Sequence, residues 1–303
     1  SRARAHRLAS VAGERASSVS AERSPRRARL RRAAFGAAVL LALLAALGPV
    51  FGEADASADW QGADVVICLD ISRSMLAPDM RPSRLAAAKA SIEALLAHAD
   101  GTRFGLILFA GDAQLRVPLT RDRASFRQLL AVAEPADARQ GGTDLGKAID
   151  LAQEALGRDQ ERAGVVLLVS DGEDLRGRGV AAAKLCRERG LVVHAVGLGT
   201  ALGSKIPLEG QLGFLRDRTG REVVSALDPA GLQQIARAAG GQYRTQAAPG
   251  KTLPDLHEQY IVPMARAAQE DGRRRRRSNG YQWPLLAAIV LWLGELFLVE
   301  RKR

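Results

Sequence analysis

The residues best suited to chemistry fall in three short stretches. In the first, Asp70-Ile71-Ser72-Arg73-Ser74, one carboxylate and two hydroxyls recur at alternate positions, directly after the apolar run 64–69. As the chain leaves a strand, that spacing can turn three oxygens into one space. Oxygen-only donors with few carboxylates suit a hard cation such as Mg²⁺, which keeps part of its water shell. Asp and Ser are also ordinary turn formers, so this stretch alone has two readings. The second piece is Gly141-Gly142-Thr143-Asp144, where Thr143 is equally well placed to cap the helix that follows. The third is Ser170-Asp171-Gly172-Glu173-Asp174, after the apolar run 164–169; it also reads as a solvated acidic loop or a helix cap. What favours a site is their joint placement. In an open α/β sheet, ligands bind beyond the carboxyl ends of the strands. Asp70 and Asp171 fall at such ends, and Thr143 opens a helix nearby. The expected metal set is Asp70, Ser72, Ser74, Thr143 and Asp171, with Mg²⁺ as the ion and Mn²⁺ or Ca²⁺ as alternatives.

The elements that must position these residues alternate strand and helix. The runs 64–69, 104–109, 164–169 and 191–196 are continuously apolar, as strands buried on both faces should be. Residues 113–119 read as an edge strand, because Pro118 cannot donate to a ladder. Helices are expected over 82–98, with Pro82 at the first position, and over 122–132, 143–156 and 180–189. A last helix begins at Asp228-Pro229 and ends at Gly240-Gly241, followed by a short strand over 242–245. Residues 200–227 break the rhythm with Gly203, Gly210, Gly213 and Gly220, and read as an excursion with a hairpin around Asp217–Gly220. The fold class is therefore α/β, a doubly wound, mostly parallel sheet. Cys68 and Cys186 read as small buried apolar residues, and His194 as a core histidine.

On these motifs the chain resembles a von Willebrand factor A (VWA) domain with a metal-ion-dependent adhesion site. The resemblance covers residues 63–245. It implies that Ser72, Ser74 and Thr143 are direct hydroxyl ligands, that Asp70 and Asp171 act largely through water, and that the sixth position is open to a partner's carboxylate. Within that class, 69–75, 82–89, 141–146 and 170–174 look most like the bacterial aerotolerance-operon (Bat-type) membrane proteins. That likeness implies a protein-binding module in envelope complex assembly or stress tolerance. It also implies partners among related VWA and tetratricopeptide-repeat membrane proteins and a MoxR-type AAA+ ATPase.

Other chemistries fit less well. Gly141 to Ala148 nearly spells a phosphate-binding loop, but Ala148 stands where the Mg²⁺-binding hydroxyl belongs and 134–140 is no apolar strand. Gly197-Leu198-Gly199 begins a dinucleotide motif whose third glycine comes one residue late. No G-x-S-x-G or H-E-x-x-H occurs. The expectation is a binding protein and not an enzyme. The rival is a metal-dependent hydrolase using Asp70 and Asp171, with Glu173 or Asp174 as base; a purely structural VWA fold is a third reading.

Charge and hydropathy divide the 303 residues. The chain is 47% apolar and 25% charged, with a net charge of +11. Residues 1–32 carry +8 and 273–303 carry +6, leaving −3 on 33–272. The basic character sits in the ends, which argues against a nucleic-acid partner for the folded domain. Residues 33–51 and 281–299 are long apolar runs. The first is flanked by arginines; the second is bordered by Tyr281 and Trp283 and by Arg301-Lys302-Arg303, and holds Glu295 inside it. Such runs read as membrane helices. A cleaved signal peptide ending near Ala54-Asp55-Ala56 is the alternative for the first, but over 30 residues precede the apolar run. The expected organisation is a basic cytoplasmic segment 1–32, a transmembrane helix 33–52, the VWA domain 63–245 and a linker 246–280 containing Arg273–Arg277. A second transmembrane helix 281–299 and a basic tail 300–303 follow. By the positive-inside rule the protein sits in the bacterial inner membrane, multi-pass, with the VWA domain on the periplasmic side. The arginine run is the one feature at odds with that orientation. The chain starts at Ser1 without a methionine, so missing material upstream is expected, and the Bat-type resemblance implies a further membrane helix there.

Overall fold

The computed structural model describes residues 25–46, 62–157, 162–208, 212–246, 250–277 and 282–297. The chain divides into two compact units, Ala58–Gly272 and the paired ends Ser1–Ser57 with Arg273–Arg303.

The larger unit is built on a six-stranded sheet. Its strands are β1 (Asp64–Asp70), β2 (Arg103–Phe109), β3 (Ala113–Thr120), β4 (Gly164–Ser170), β5 (Val192–Gly197) and, after a small hairpin of β6 (Ser204–Lys205) with β7 (Val224–Ser225), β8 (Tyr243–Thr245). The spatial order is β3-β2-β1-β4-β5-β8. All neighbours are parallel except β2 and β3, where β3 runs antiparallel at the edge with a register shift opposite Gly105. Pro118 is therefore accommodated on an edge, as the sequence requires.

Each central strand sends alternate side chains to opposite faces. Val65, Ile67 and Leu69 pack on one face against Leu85, Ile92 and Leu96 of α1 (Arg84–His98) and Phe126 of α2 (Arg123–Ala131). Val66 and Cys68 pack on the other, against Leu145 and Ile149 of α3 (Leu145–Leu156), Ala183 of α4 (Gly179–Glu188) and Leu232 of α5 (Pro229–Ala238). Two apolar faces on one sheet explain why the strands read as unbroken apolar runs. Phe104 meets Phe126 edge to face, with ring centroids 6.3 Å apart. Cys68 and Cys186 are both free and buried, and burial pushes both thiols well above their ordinary range. His194 is buried, and its Nδ1 accepts the Gln242 N–H at 3.0 Å.

Helix starts correct the sequence expectations in two places. Ser83, not Pro82, borders α1: its hydroxyl accepts the Ala86 N–H at 3.2 Å. At α3 the cap is Asp144, whose Oδ1 accepts the Lys147 N–H at 3.0 Å, and Thr143 is released from that role. At α2 and α5, Asp122 and Asp228, the first residues of the expected helices, act as caps and each receive two backbone N–H groups.

The folded unit also reaches past residue 245. Residues 252–277 run as α6 (Thr252–Leu256), a π-turn (His257–Ile261) and α7 (Val262–Arg277), rather than as a linker. Leu253, Leu256 and Ile261 are buried in the core beneath β1 and α1. Two prolines are absorbed in this stretch. Pro254 stands in the first turn, where its missing N–H has no intrahelical acceptor to lose. Pro263 follows the π-turn, a common device for a break in the hydrogen-bond ladder.

In the smaller unit, one helix spans Pro25–Ala46 and another, α8, spans Gln282–Phe297; the two pack on each other, burying Ala38, Ala45 and Ala288. Among the described residues no helix is long and apolar enough to cross a membrane. The apolar runs continue into residues 47–52, 281 and 298–299, which lie outside the described set.

Candidate functional site

All five expected residues lie at the carboxyl edge of the sheet, around β1 and β4. The chain leaves β1 toward β2 on one side, while β4 lies on the other, so the crevice opens at their junction, as open α/β sheets favour. Asp70 is the last residue of β1. Its Oδ1 accepts the Ser72 N–H at 2.8 Å, which bends the chain out of the strand. A one-turn 3₁₀ helix over Arg73–Leu76 follows and brings the Ser72 and Ser74 hydroxyls to 2.9 Å from each other. The other Asp70 oxygen accepts the Ser170 hydroxyl at 2.6 Å, tying the ends of β1 and β4 together. Thr143 arrives on a loop whose backbone docks on the β2–β3 turn: Asp144 N–H reaches the Ala110 carbonyl at 2.8 Å, and Gly111 N–H reaches Gln140 at 3.0 Å.

Ser72, Ser74 and Thr143 line one cavity of about 430 Å³. Asp70 and Asp171 are fully buried. Burial, and then the negative charge of Asp171, push the Asp70 carboxyl up to about 7, against the hydrogen bonds from Ser170 and Ser72 that pull it down. Asp171 is followed by Gly172, with φ +88° and room for nothing larger, since a Cβ there would lie 2.4 Å from the Asp228 carbonyl. That close approach carries the Asp228 N–H bond to the Asp171 carbonyl at 2.8 Å. Glu173 lines the cavity, and burial raises its carboxyl. Asp174 instead turns toward α4, where it accepts the Gly179 N–H at 2.9 Å.

One residue of the site escaped the sequence reading. Arg84 is completely buried. Its Nη1 donates to Asp171 Oδ2 at 3.0 Å and to the Ser225 hydroxyl at 2.9 Å, while Nε and Nη2 hold both oxygens of Asp79 at 2.8 and 2.7 Å. Gly199 passes so near that a Cβ there would sit 2.7 Å from the guanidinium. The signal was available in part: Asp79 and Arg84 lie five apart around Pro82-Ser83. Nothing in the sequence says that this arginine is inside.

A parallel sheet wound on both faces, with Asp-x-Ser-x-Ser at the end of its first strand and a hydroxyl and a carboxylate brought beside it, defines a VWA domain. The family profile described as von Willebrand factor type A domain matches residues 65–173, and the chain belongs to that family. Its solved relatives include an aerotolerance-related membrane protein from Bacteroides fragilis, 36% identical, covering 67% of this chain and 99% of that one with a TM-score of 0.64. The BatB protein of Bacteroides thetaiotaomicron is also 36% identical, covering 68% and 100% with a TM-score of 0.65. This is accordingly a VWA protein of the Bat-related kind. A UPF0353 protein of Nocardia farcinica is 28% identical over 249 residues, 77% of this chain and 70% of that one.

Proposed function

We propose that the chain is a membrane-anchored protein-binding module that captures an acidic residue of a partner through a divalent cation. The observation that carries this is the convergence of the Ser72, Ser74 and Thr143 hydroxyls on one cavity, with Asp70 and Asp171 buried at the same sheet edge. The donor set fits a hard cation: hydroxyls and carboxylates, without thiol or imidazole. Among the described residues no group of three or more His, Cys, Asp and Glu gathers as a metal centre, so the hydroxyls must complete the shell. The raised Asp70 carboxyl fits too, because two buried carboxylates close together favour a neighbouring positive charge. In this reading Ser72, Ser74 and Thr143 hold the ion, while Asp70 and Asp171 orient them from behind. Mg²⁺ is the proposed ion, with Mn²⁺ or Ca²⁺ as substitutes. Neutral hydroxyls leave the cation under-compensated, so an incoming Asp or Glu supplies both ligand and countercharge.

Anchoring is supported by the two apolar runs at 33–51 and 281–299. It is also supported by the apolar residues that both end helices leave uncovered, among them Leu40, Leu43, Leu286 and Val290. Their mutual contact through small alanines is what packing in lipid favours. The Bacteroides fragilis relative is described as a membrane protein. The partners, related VWA and tetratricopeptide-repeat membrane proteins and a MoxR-type ATPase, follow from the Bat-type resemblance alone, as does a role in envelope assembly or stress tolerance rather than catalysis.

Two measurements test the site. Saturating Mg²⁺ should raise the melting temperature of the detergent-solubilised chain, because an ion that binds only the folded state stabilises it by mass action; Ser72→Ala with Ser74→Ala should abolish the shift. Partner capture from native membranes should be lost in EDTA. An unchanged melting temperature, or capture indifferent to EDTA, rejects the metal reading. Phosphatase or nucleotidase turnover by the purified chain would replace it with the hydrolase.

A further inference from the structure

We propose that the 200–227 excursion makes this site read two features at once, so that its partner segment carries an Asp or Glu flanked by an aliphatic side chain. The inference rests on the metal reading above and adds the second feature. The cavity that holds the three hydroxyls has an apolar wall: Ile206, Leu215 and Val223 from the excursion, and Leu175 from the loop after β4. Its volume, about 430 Å³, is in the range of roughly 300–1,000 Å³ usual for ligand sites. A bare carboxylate on a cation would leave that wall uncovered.

The wall is a built feature. Leu215 N–H donates to the Ile206 carbonyl at 2.8 Å, and Val223 N–H to the Leu215 carbonyl at 2.8 Å, so the backbone ties the three aliphatic residues into one ribbon. Both ends of the ribbon are fastened to the buried ion pair behind the site. Asp79 accepts the Thr200 N–H at 2.9 Å at the start, and Arg84 donates to the Ser225 carbonyl at 3.0 Å at the end. Since Arg84 also holds Asp171, the wall and the carboxylate share one strut.

The occupant is a protein segment rather than a small metabolite. Within the described part of the larger unit, the large exposed hydrophobics are Leu115, Val132, Leu175, Leu185, Leu202, Leu212, Phe214 and Val224. Four of these lie on the excursion, and Leu175 lines the cavity itself. Phe214 and Val224 adjoin the wall residues Leu215 and Val223 along the chain, and exposed apolar side chains gathered on one segment mark a protein-binding surface. The floor calls for the acid and the wall for its aliphatic neighbour. Exposed Arg73, also lining the cavity, adds positive charge for the acidic end.

The test is selection of random displayed peptides on the full-length chain in detergent with Mg²⁺. The expected winners carry Asp or Glu with Leu, Ile, Val or Met within two positions and are released by EDTA. Leu215→Ser with Val223→Ser should weaken a selected peptide about tenfold or more, the loss expected from one buried aliphatic side chain, while the Mg²⁺ shift in melting temperature persists. Should that double variant lose the Mg²⁺ shift, exposed Leu175→Ser serves as the second probe, with a smaller loss expected in the same direction. Acidic, EDTA-released peptides with no aliphatic preference, or ones unmoved by both variants, overturn the inference and leave the metal reading intact. Peptides that ignore EDTA, whether apolar or acidic, or no enrichment at all, overturn both.

Discussion

Arg84 and Asp171 form a salt bridge of 3.0 Å in which neither side chain is exposed to solvent. The same guanidinium holds Asp79 at 2.7 Å, so one cation serves two carboxylates on different sides of the candidate site. Burying such charges is expensive unless they are paired and hydrogen-bonded. Here every guanidinium nitrogen has a partner, and the partners come from the loop after β1, the loop after β4 and the hairpin strand β7. The ion pair therefore acts as a joint between the edge that carries the candidate metal site and the excursion fastened to it.

Removing that joint should be costly. Arg84→Met leaves Asp171 and Asp79 without their cation and is expected to destabilise the larger unit by about 3–5 kcal/mol. Arg84→Lys should recover little, since an ammonium cannot reproduce the fork that holds two carboxylates. Denaturant titration reads both values. A loss below about 1 kcal/mol for Arg84→Met would mean that the pair contributes no more than a surface ion pair does.

Thr143 and Asp144 should separate cleanly. Asp144 caps α3 and receives Arg178 Nη2 at 2.7 Å, whereas Thr143 caps nothing. Asp144→Ala is expected to cost about 1 kcal/mol of stability. Thr143→Ala should leave the stability of the ion-free chain nearly unchanged and abolish the Mg²⁺ shift. If Thr143→Ala instead lowers stability by the amount of a lost cap while the Mg²⁺ shift persists, the site assignment fails at this position.

Acid should find His194. Burial lowers its imidazole to about 4, from an ordinary value of 6.5. The folded chain therefore keeps the ring neutral while the unfolded chain protonates it. Its contribution is complete above pH 6.5 and fades as the pH falls toward 4. The ring faces Tyr260 at 5.9 Å, and Tyr260 in turn accepts Arg244 Nη2 at 3.0 Å. Between pH 7.5 and pH 5 the wild type should lose about 2 kcal/mol more than His194→Gln, read from urea midpoints at the two pH values. Parallel losses in the two proteins would remove the histidine from the account.

Topology is checked with reporters. A fusion after residue 250 should be active with a reporter that works only outside the cytoplasm, and one after Arg303 should be silent. The reverse pattern would make Arg273–Arg277 the dominant cytoplasmic anchor and overturn the positive-inside argument.

What the sequence determined by itself is whatever depends on neighbours along the chain. Unbroken apolar runs identified β1, β2, β4 and β5, because a strand covered on both faces has no polar side to show. The helix starts at Asp122 and Asp228 were legible, and the side chain at each bonds N–H groups two and three residues on, as a cap does. The oxygen-bearing pieces at Asp70–Ser74, Thr143 and Asp171 were legible because each directly follows or opens an element. Tertiary structure alone decided the rest. Thr143 and Asp144 are both good caps, and the choice fell to Asp144 because its backbone N–H docks on Ala110, 34 residues away, with Arg178 set on its side chain. The helical stretch over 252–277 fell within the expected linker, and forms because Leu253, Leu256 and Ile261 find a core to fill. Arg84 looked like any surface arginine. Its burial depends on Asp171, 87 residues on, and Ser225, 141 residues on, and no local pattern records a partner at that distance.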